Sequence, residues 1–166
     1  MVRVFNNITF LKNISPSKSI TREITINASR ETVYDFLFKP DNLVKVWPSL
    51  LDVSNERLLP SGLYEFNYQY RMGGISLRGT GRHIDAARNS WLTTQITGSA
   101  DCKFTWTLRN LDKNTRLFLT LEYAIPNAVL KWLAEGSIWA MNEREADVVM
   151  NNIKELLDEK PSQSKA

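Results

Sequence analysis

The sequence predicts an α+β domain: a curved seven-stranded antiparallel sheet with two short helices and one long C-terminal helix around a cavity. Three observations predict it. Residues 50–124 read as consecutive short strands joined by tight turns. Two brief helical patterns come before them and one long amphipathic pattern comes after. Finally, a helix about 10 Å wide cannot by itself cover the concave face of such a sheet.

The elements follow in order. Ser19–Asn27 reads as a strand, with Ile20, Ile24 and Ile26 on one face and Thr21, Glu23 and Thr25 on the other. Ser29 suits a helix N-cap, and Glu31 falls in the first turn, where the dipole favours an acid. Val33, Phe36 and Leu37 share a face of that helix. Lys39-Pro40-Asp41 stops it, and Asp41 or Asn42 starts a second short helix that Trp47-Pro48 ends. Leu51–Leu59 is a strand, and Pro60-Ser61-Gly62 a turn. Tyr64, Phe66, Tyr68, Tyr70 and Met72 alternate with polar residues, and Gly73-Gly74 turns the chain. Ile75, Leu77, Gly79, Gly81 and His83 form the next inward row, with Ala87–Ser90 turning into Trp91–Thr97. Cys102, Phe104, Trp106 and Leu108, then Leu117, Leu119, Leu121 and Tyr123, form the last two rows around the turn Asp112-Lys113-Asn114. Pro126 closes the last strand. Asn127 can cap a helix reaching about Glu159, whose stripe is Ala146, Val149, Met150, Ile153, Leu156 and Leu157.

Composition narrows the function classes. The 166 residues are 43% hydrophobic and 23% charged, close to globular averages. No run approaches the roughly 18 uncharged apolar residues of a membrane span. One cysteine, Cys102, excludes an internal disulfide, and one histidine leaves the usual zinc sets unfilled. Removing Arg3, Lys12, Lys18, Lys160 and Lys165 from the 21 bases leaves 16 against 18 acids in residues 19–159. The basic character therefore sits at the two ends, which argues against nucleic-acid binding. Residues 1–18 read as an added strand, an arm or a dimer contact, so a homodimer through this arm is one expectation. Residues 160–166 read as a disordered tail, and residues 19–159 as a single domain. A cytoplasmic location is expected, with no metal and no cofactor.

The inward rows are aromatic. Phe66, Tyr68, Tyr70, Phe104, Trp106 and Tyr123 share them with Leu77 and Leu119, while Gly79 and Gly81 fit curvature or missing bulk. A roofed apolar hollow of this kind suits a small ligand.

Several stretches then carry a resemblance. They are Ile24-Thr25-Ile26-Asn27-Ala28-Ser29-Arg30-Glu31-Thr32-Val33-Tyr34-Asp35-Phe36-Leu37, the link Lys39-Pro40-Asp41-Asn42-Leu43 with Trp47-Pro48, and Phe104-Thr105-Trp106-Thr107-Leu108. Asn114-Thr115-Arg116-Leu117 matches where the family usually has glycine first, and Asn tolerates a left-handed turn there. Over about residues 19–158 the chain resembles the START-like superfamily, also called SRPBCC. That family includes polyketide cyclases, lipid-transfer domains, coenzyme Q-binding proteins and pollen-allergen-like proteins. The resemblance implies the helix-grip fold. It also implies a ligand such as a lipid, isoprenoid, quinone or polyketide.

The candidate ligand-binding set is the inward aromatics with Leu77, His83 and Leu119, joined by Trp132, Glu135, Ile138, Trp139 and Asn142. Extending the helix stripe backwards at 100° per residue puts the last five on the sheet-facing side. Glu135 and Asn142 are the polar members and can hydrogen-bond a ligand; a kink at Gly136 would instead send Glu135 to solvent. Glu135 and His83 are also the candidate acid–base groups. The plain reading of His83 is a satisfied structural histidine, and that of Cys102 an inert core thiol. The expected function is carriage or binding of a small hydrophobic or amphipathic molecule. The alternatives are a cyclase/dehydrase-type enzyme and a protein-interaction module, ribosome- or chaperone-associated.

Overall fold

A computed structural model of the chain describes residues 18–99, 101–124 and 135–158. Seven strands form one antiparallel sheet: β1 (Lys18–Ile26), β2 (Leu50–Leu58), β3 (Tyr64–Met72), β4 (Ile75–Ala87), β5 (Trp91–Gly98), β6 (Asp101–Leu111) and β7 (Asn114–Ala124). Their spatial order is β1-β7-β6-β5-β4-β3-β2, so among the described residues β1 and β2 are the edges. Between β1 and β2 lie α1 (Arg30–Phe38), a 3₁₀ turn (Pro40–Asn42) and α2 (Leu43–Val46). The long helix is α3 (Glu135–Leu157). Of the expected arm 1–18 only Lys18 is described, as the first residue of β1; the rest of the arm, the expected tail 160–166 and the helix start at Asn127 lie outside the described residues.

Local chemistry fixes these elements. The Ser29 hydroxyl accepts from the Thr32 amide at 3.1 Å, capping α1 with a neutral acceptor. Lys39 is extended, as the residue before Pro40 must be, so α1 ends at Phe38. Gly73 and Gly74 both take positive φ (53° and 85°), which allows the two-residue turn between β3 and β4. At the β6–β7 turn the left-handed residue is Asp112, at φ 53°. The family pattern suggests that conformation for Asn114, which instead opens β7 paired with Leu111.

The inward rows meet α1, α2 and α3 in one core containing Ile20, Ile26, Val33, Leu37, Trp106, Leu119, Val149 and Ile153. Arg22 lies on the same β1 face as the isoleucines and reaches α3, bonding Asp147 at 2.5 Å. Two corrections concern packing. Leu156, expected in the buried stripe of α3, is 53% exposed, because it lies on the flank of the stripe, which Ile153 and Leu157 carry through the last turns. Gly81 does not leave a void: a Cβ there would sit 2.3 Å from the Phe66 ring, which occupies its space. Gly79 lets two backbones approach, since its Cβ would meet the Thr97 carbonyl at 1.9 Å.

Strand limits also shift. β1 begins one residue early and ends at Ile26, while β2 runs Leu50–Leu58 with register shifts after Leu50 and after Ser54. β4 continues past His83 to Ala87 by absorbing a bulge between His83 and Asp85, so His83 is mid-strand.

Candidate functional site

Three groups of inward side chains result. The first surrounds His83, which is 1% exposed. Its Nε2 lies 3.1 Å from the Phe38 carbonyl and its Nδ1 lies 2.9 Å from the Thr94 hydroxyl. A carbonyl only accepts, so Nε2 carries the proton and Nδ1 accepts from Thr94. Phe38, Tyr64 and Phe66 enclose the ring at centroid distances of 5.6, 6.2 and 6.1 Å. Burial holds the imidazole below its usual range, against the Phe38 carbonyl, which favours the cation. With both nitrogens engaged, this geometry fits a structural histidine.

The second group is Trp47, Phe104 and Trp106. Trp47 lies 5.4 Å from the Phe104 ring and 6.4 Å, edge-on, from Trp106. Trp106 is fully buried, and its indole N–H has no hydrogen-bond partner among the described residues. Such a donor is costly unless an acceptor or an aromatic face compensates it.

The third group is polar and lines an open cleft of about 180 Å³ between the start of β2, the end of β3 and α3. Its walls include Pro48, Met72, Met141 and Val148. The Tyr70 hydroxyl donates to Glu145 Oε2, and the Ser49 amide donates to Glu145 Oε1 at 2.9 Å. Burial first, then the adjacent Glu145 charge, pushes the Tyr70 hydroxyl well above its usual 10, so it stays a proton-bearing donor. Asn152 of α3 donates to the Val46 carbonyl at 2.9 Å and ties the end of α2 to the same helix.

The expected residues distribute as follows. Phe66, Tyr68, Leu77, His83, Phe104, Trp106 and Leu119 are buried, while Tyr70, Tyr123 and Asn142 are half-buried. The cleft brings Tyr70 and Asn142 together. Glu135, Ile138 and Trp139 belong to α3, but their side chains are outside the described residues, as is all of Trp132. Glu145 and Ser49 were missed. Glu145 lies three residues after Asn142 and four before Val149, a helical spacing that marks it as sharing their side. Cys102 is half-buried, and burial with the nearby Glu122 charge pushes its thiol up to about 12.

Residues 17–158 match a family model described as polyketide cyclase / dehydrase and lipid transport. No curated protein sequence matches the chain. Among solved structures, TTHA0849 from Thermus thermophilus superposes with TM-score 0.73 at 14% identity, covering 84% of this chain and 97% of that one. The Zhui aromatase/cyclase from Streptomyces sp. R1128 gives 0.71 at 17%, covering 85% and 93%. A START superfamily protein from Mycobacterium smegmatis gives 0.64 at 13%, covering 83% and 98%. At these identities the likeness concerns the fold, which is the helix-grip arrangement of sheet and long helix. Among the described residues, no helix is long and apolar enough to cross a membrane.

Proposed function

The chain belongs to the polyketide cyclase / dehydrase and lipid transport family, and from that premise we propose that it binds and carries a small hydrophobic or amphipathic molecule held between the sheet and α3. The family and the fold support ligand binding or cyclase chemistry. The observation that carries the binding reading is the cleft, where apolar walls from Pro48, Met72, Met141 and Val148 meet one fixed polar group, the Tyr70–Glu145–Ser49 network. That combination of apolar lining with few oriented polar groups is typical of small-molecule sites. Affinity would come mainly from apolar burial, at about 25 cal/mol per Å² before the costs of association. The candidate lining extends inward to Phe104, Trp106, Leu119 and Tyr123, and along α3 to Trp132, Glu135, Ile138, Trp139 and Asn142.

The test is native mass spectrometry of the purified protein against a broad panel of lipids, isoprenoids, quinones and aromatic polyketides. A retained one-to-one complex, weakened by Met141→Gln and Val148→Gln, supports the reading. No complex across the panel overturns it.

Cyclase or dehydrase chemistry is a second reading, favoured by the same Tyr70–Glu145 pair: a carboxylate beside a half-buried phenol can accept and return a proton at a bound substrate. Turnover of a poly-β-ketone substrate that Glu145→Gln abolishes, with ligand binding retained, would support it. Equal product with and without the protein would end it.

A further inference from the structure

We propose that the cleft selects amphipathic carboxylates: an apolar chain lies on Met72, Met141 and Val148, and an anionic head group meets the guanidinium of Arg144 at the rim. This rests on the binding reading above and names the class of ligand.

Glu145, the cleft's carboxylate, accepts from the Tyr70 hydroxyl and the Ser49 amide, so each of its oxygens is engaged within the protein. The cations at the cleft are not. Arg71 and Arg144 both line it, and neither makes an ion pair among the described residues. Arg22, Arg57, Arg88 and Arg116 each have an acidic partner, while Arg30, Arg78, Arg82 and Arg109, outside the cleft, have none among the described residues; what sets Arg71 and Arg144 apart is their place at the apolar cleft. Two guanidinium groups against one carboxylate leave a single positive charge in excess, which matches a monoanion better than a dianion. Arg144 is exposed and lies one residue before Glu145 and three after Met141, at the outer border of the α3 face that forms the cleft wall. A head group there stays in contact with water and avoids the cost of burying charge. Guanidinium is also suited to a carboxylate, presenting two parallel N–H donors to its two oxygens.

Size sets the probe. The cleft is small, about 180 Å³, so short six-carbon ligands are the probes. Hexanoate, hexanol, hexylamine and hexyl phosphate are titrated into the full chain at low salt, with α3 amide resonances as the readout. The expected result is hexanoate binding about three- to fivefold tighter than hexanol, the range of a solvent-exposed ion pair, and tighter than hexyl phosphate. Arg144→Gln, an exposed change to another good helix former, should bring the hexanoate-to-hexanol ratio to within about twofold. Raising the salt should narrow the same ratio.

If hexanoate and hexanol bind equally, the head-group assignment is wrong while the binding reading stands. If hexylamine binds tightest, Glu145 and not Arg144 reads the head group, and the assignment is again wrong. Tightest binding by hexyl phosphate overturns the monoanion argument. If none of the four perturbs the cleft resonances, both the assignment and the binding reading at this cleft fail.

Discussion

The phenol of Tyr70 on β3 donates a hydrogen bond to the carboxylate of Glu145 on α3, across 75 residues of sequence. The same carboxylate accepts from the backbone of Ser49, where the chain leaves α2 for β2. One acidic side chain therefore joins the sheet, the helical link and the long helix at the mouth of the cleft.

Tyr70→Phe and Glu145→Gln should each lower the unfolding free energy by about 1–2 kcal/mol, the usual worth of a part-buried hydrogen bond to a charged group. The double variant should lose clearly less than the sum, because the two changes remove one interaction. Urea denaturation of the four proteins measures this; strict additivity would mean that the pair is not formed in solution.

Two groups give opposite pH trends. Burial depresses His83 below its ordinary 6.5, so the unfolded chain takes up a proton that the folded protein refuses. Its contribution is complete above about 6.5 and is lost as the pH falls below that. Glu56 is raised from 4.5 to about 7, by burial first and then by the hydrogen bond and charge of Asp41. Its contribution is complete below about 4.5 and is lost as the pH rises through 7. Urea midpoints measured from about pH 4 to 8 should lose the acid-side decline in His83→Gln and the neutral-side decline in Glu56→Gln. Unchanged slopes in both variants would remove these assignments.

Gly81→Ala should destabilise the protein by about 1–3 kcal/mol, since the new methyl would overlap the buried Phe66 ring. Adding Phe66→Leu should recover part of that loss. Thermal melts decide it, and an alanine variant as stable as the parent would show that the ring can move aside.

The Cys102 thiol, pushed up to about 12, should resist an aromatic disulfide reagent at pH 8 in the folded protein. It should react fully once urea unfolds the chain. Rapid stoichiometric labelling of the native protein would contradict the burial described here.

Alternation made most of the sheet readable before any coordinates. In β6 and β7 the apolar residues fall on every second position, and the structure buries Phe104, Trp106, Leu108, Leu117, Leu119 and Leu121. Ends and irregularities were harder. The bulge after His83 lengthens β4 without leaving a mark in the hydrophobic pattern, and the shifts in β2 break its alternation altogether. Arg22 stayed silent on the apolar face of β1 because its partner Asp147 is 125 residues away. Glu145 is the instructive omission. Its spacing from Val149 was visible, yet an acid on that flank reads as solvated until Ser49 and Tyr70 are brought beside it. Tertiary partners of this kind are set by how the links fold, which no periodicity encodes.

The uneven register of β2 has a consequence for how the molecule behaves in a crowd. Along this edge the longest unbroken run of pairing is Asp52, Val53 and Ser54 with Gln69, Tyr68 and Asn67. A stranger's strand laid on the outer side would fall out of step after a few rungs, so the rim is a poor template for fibrils.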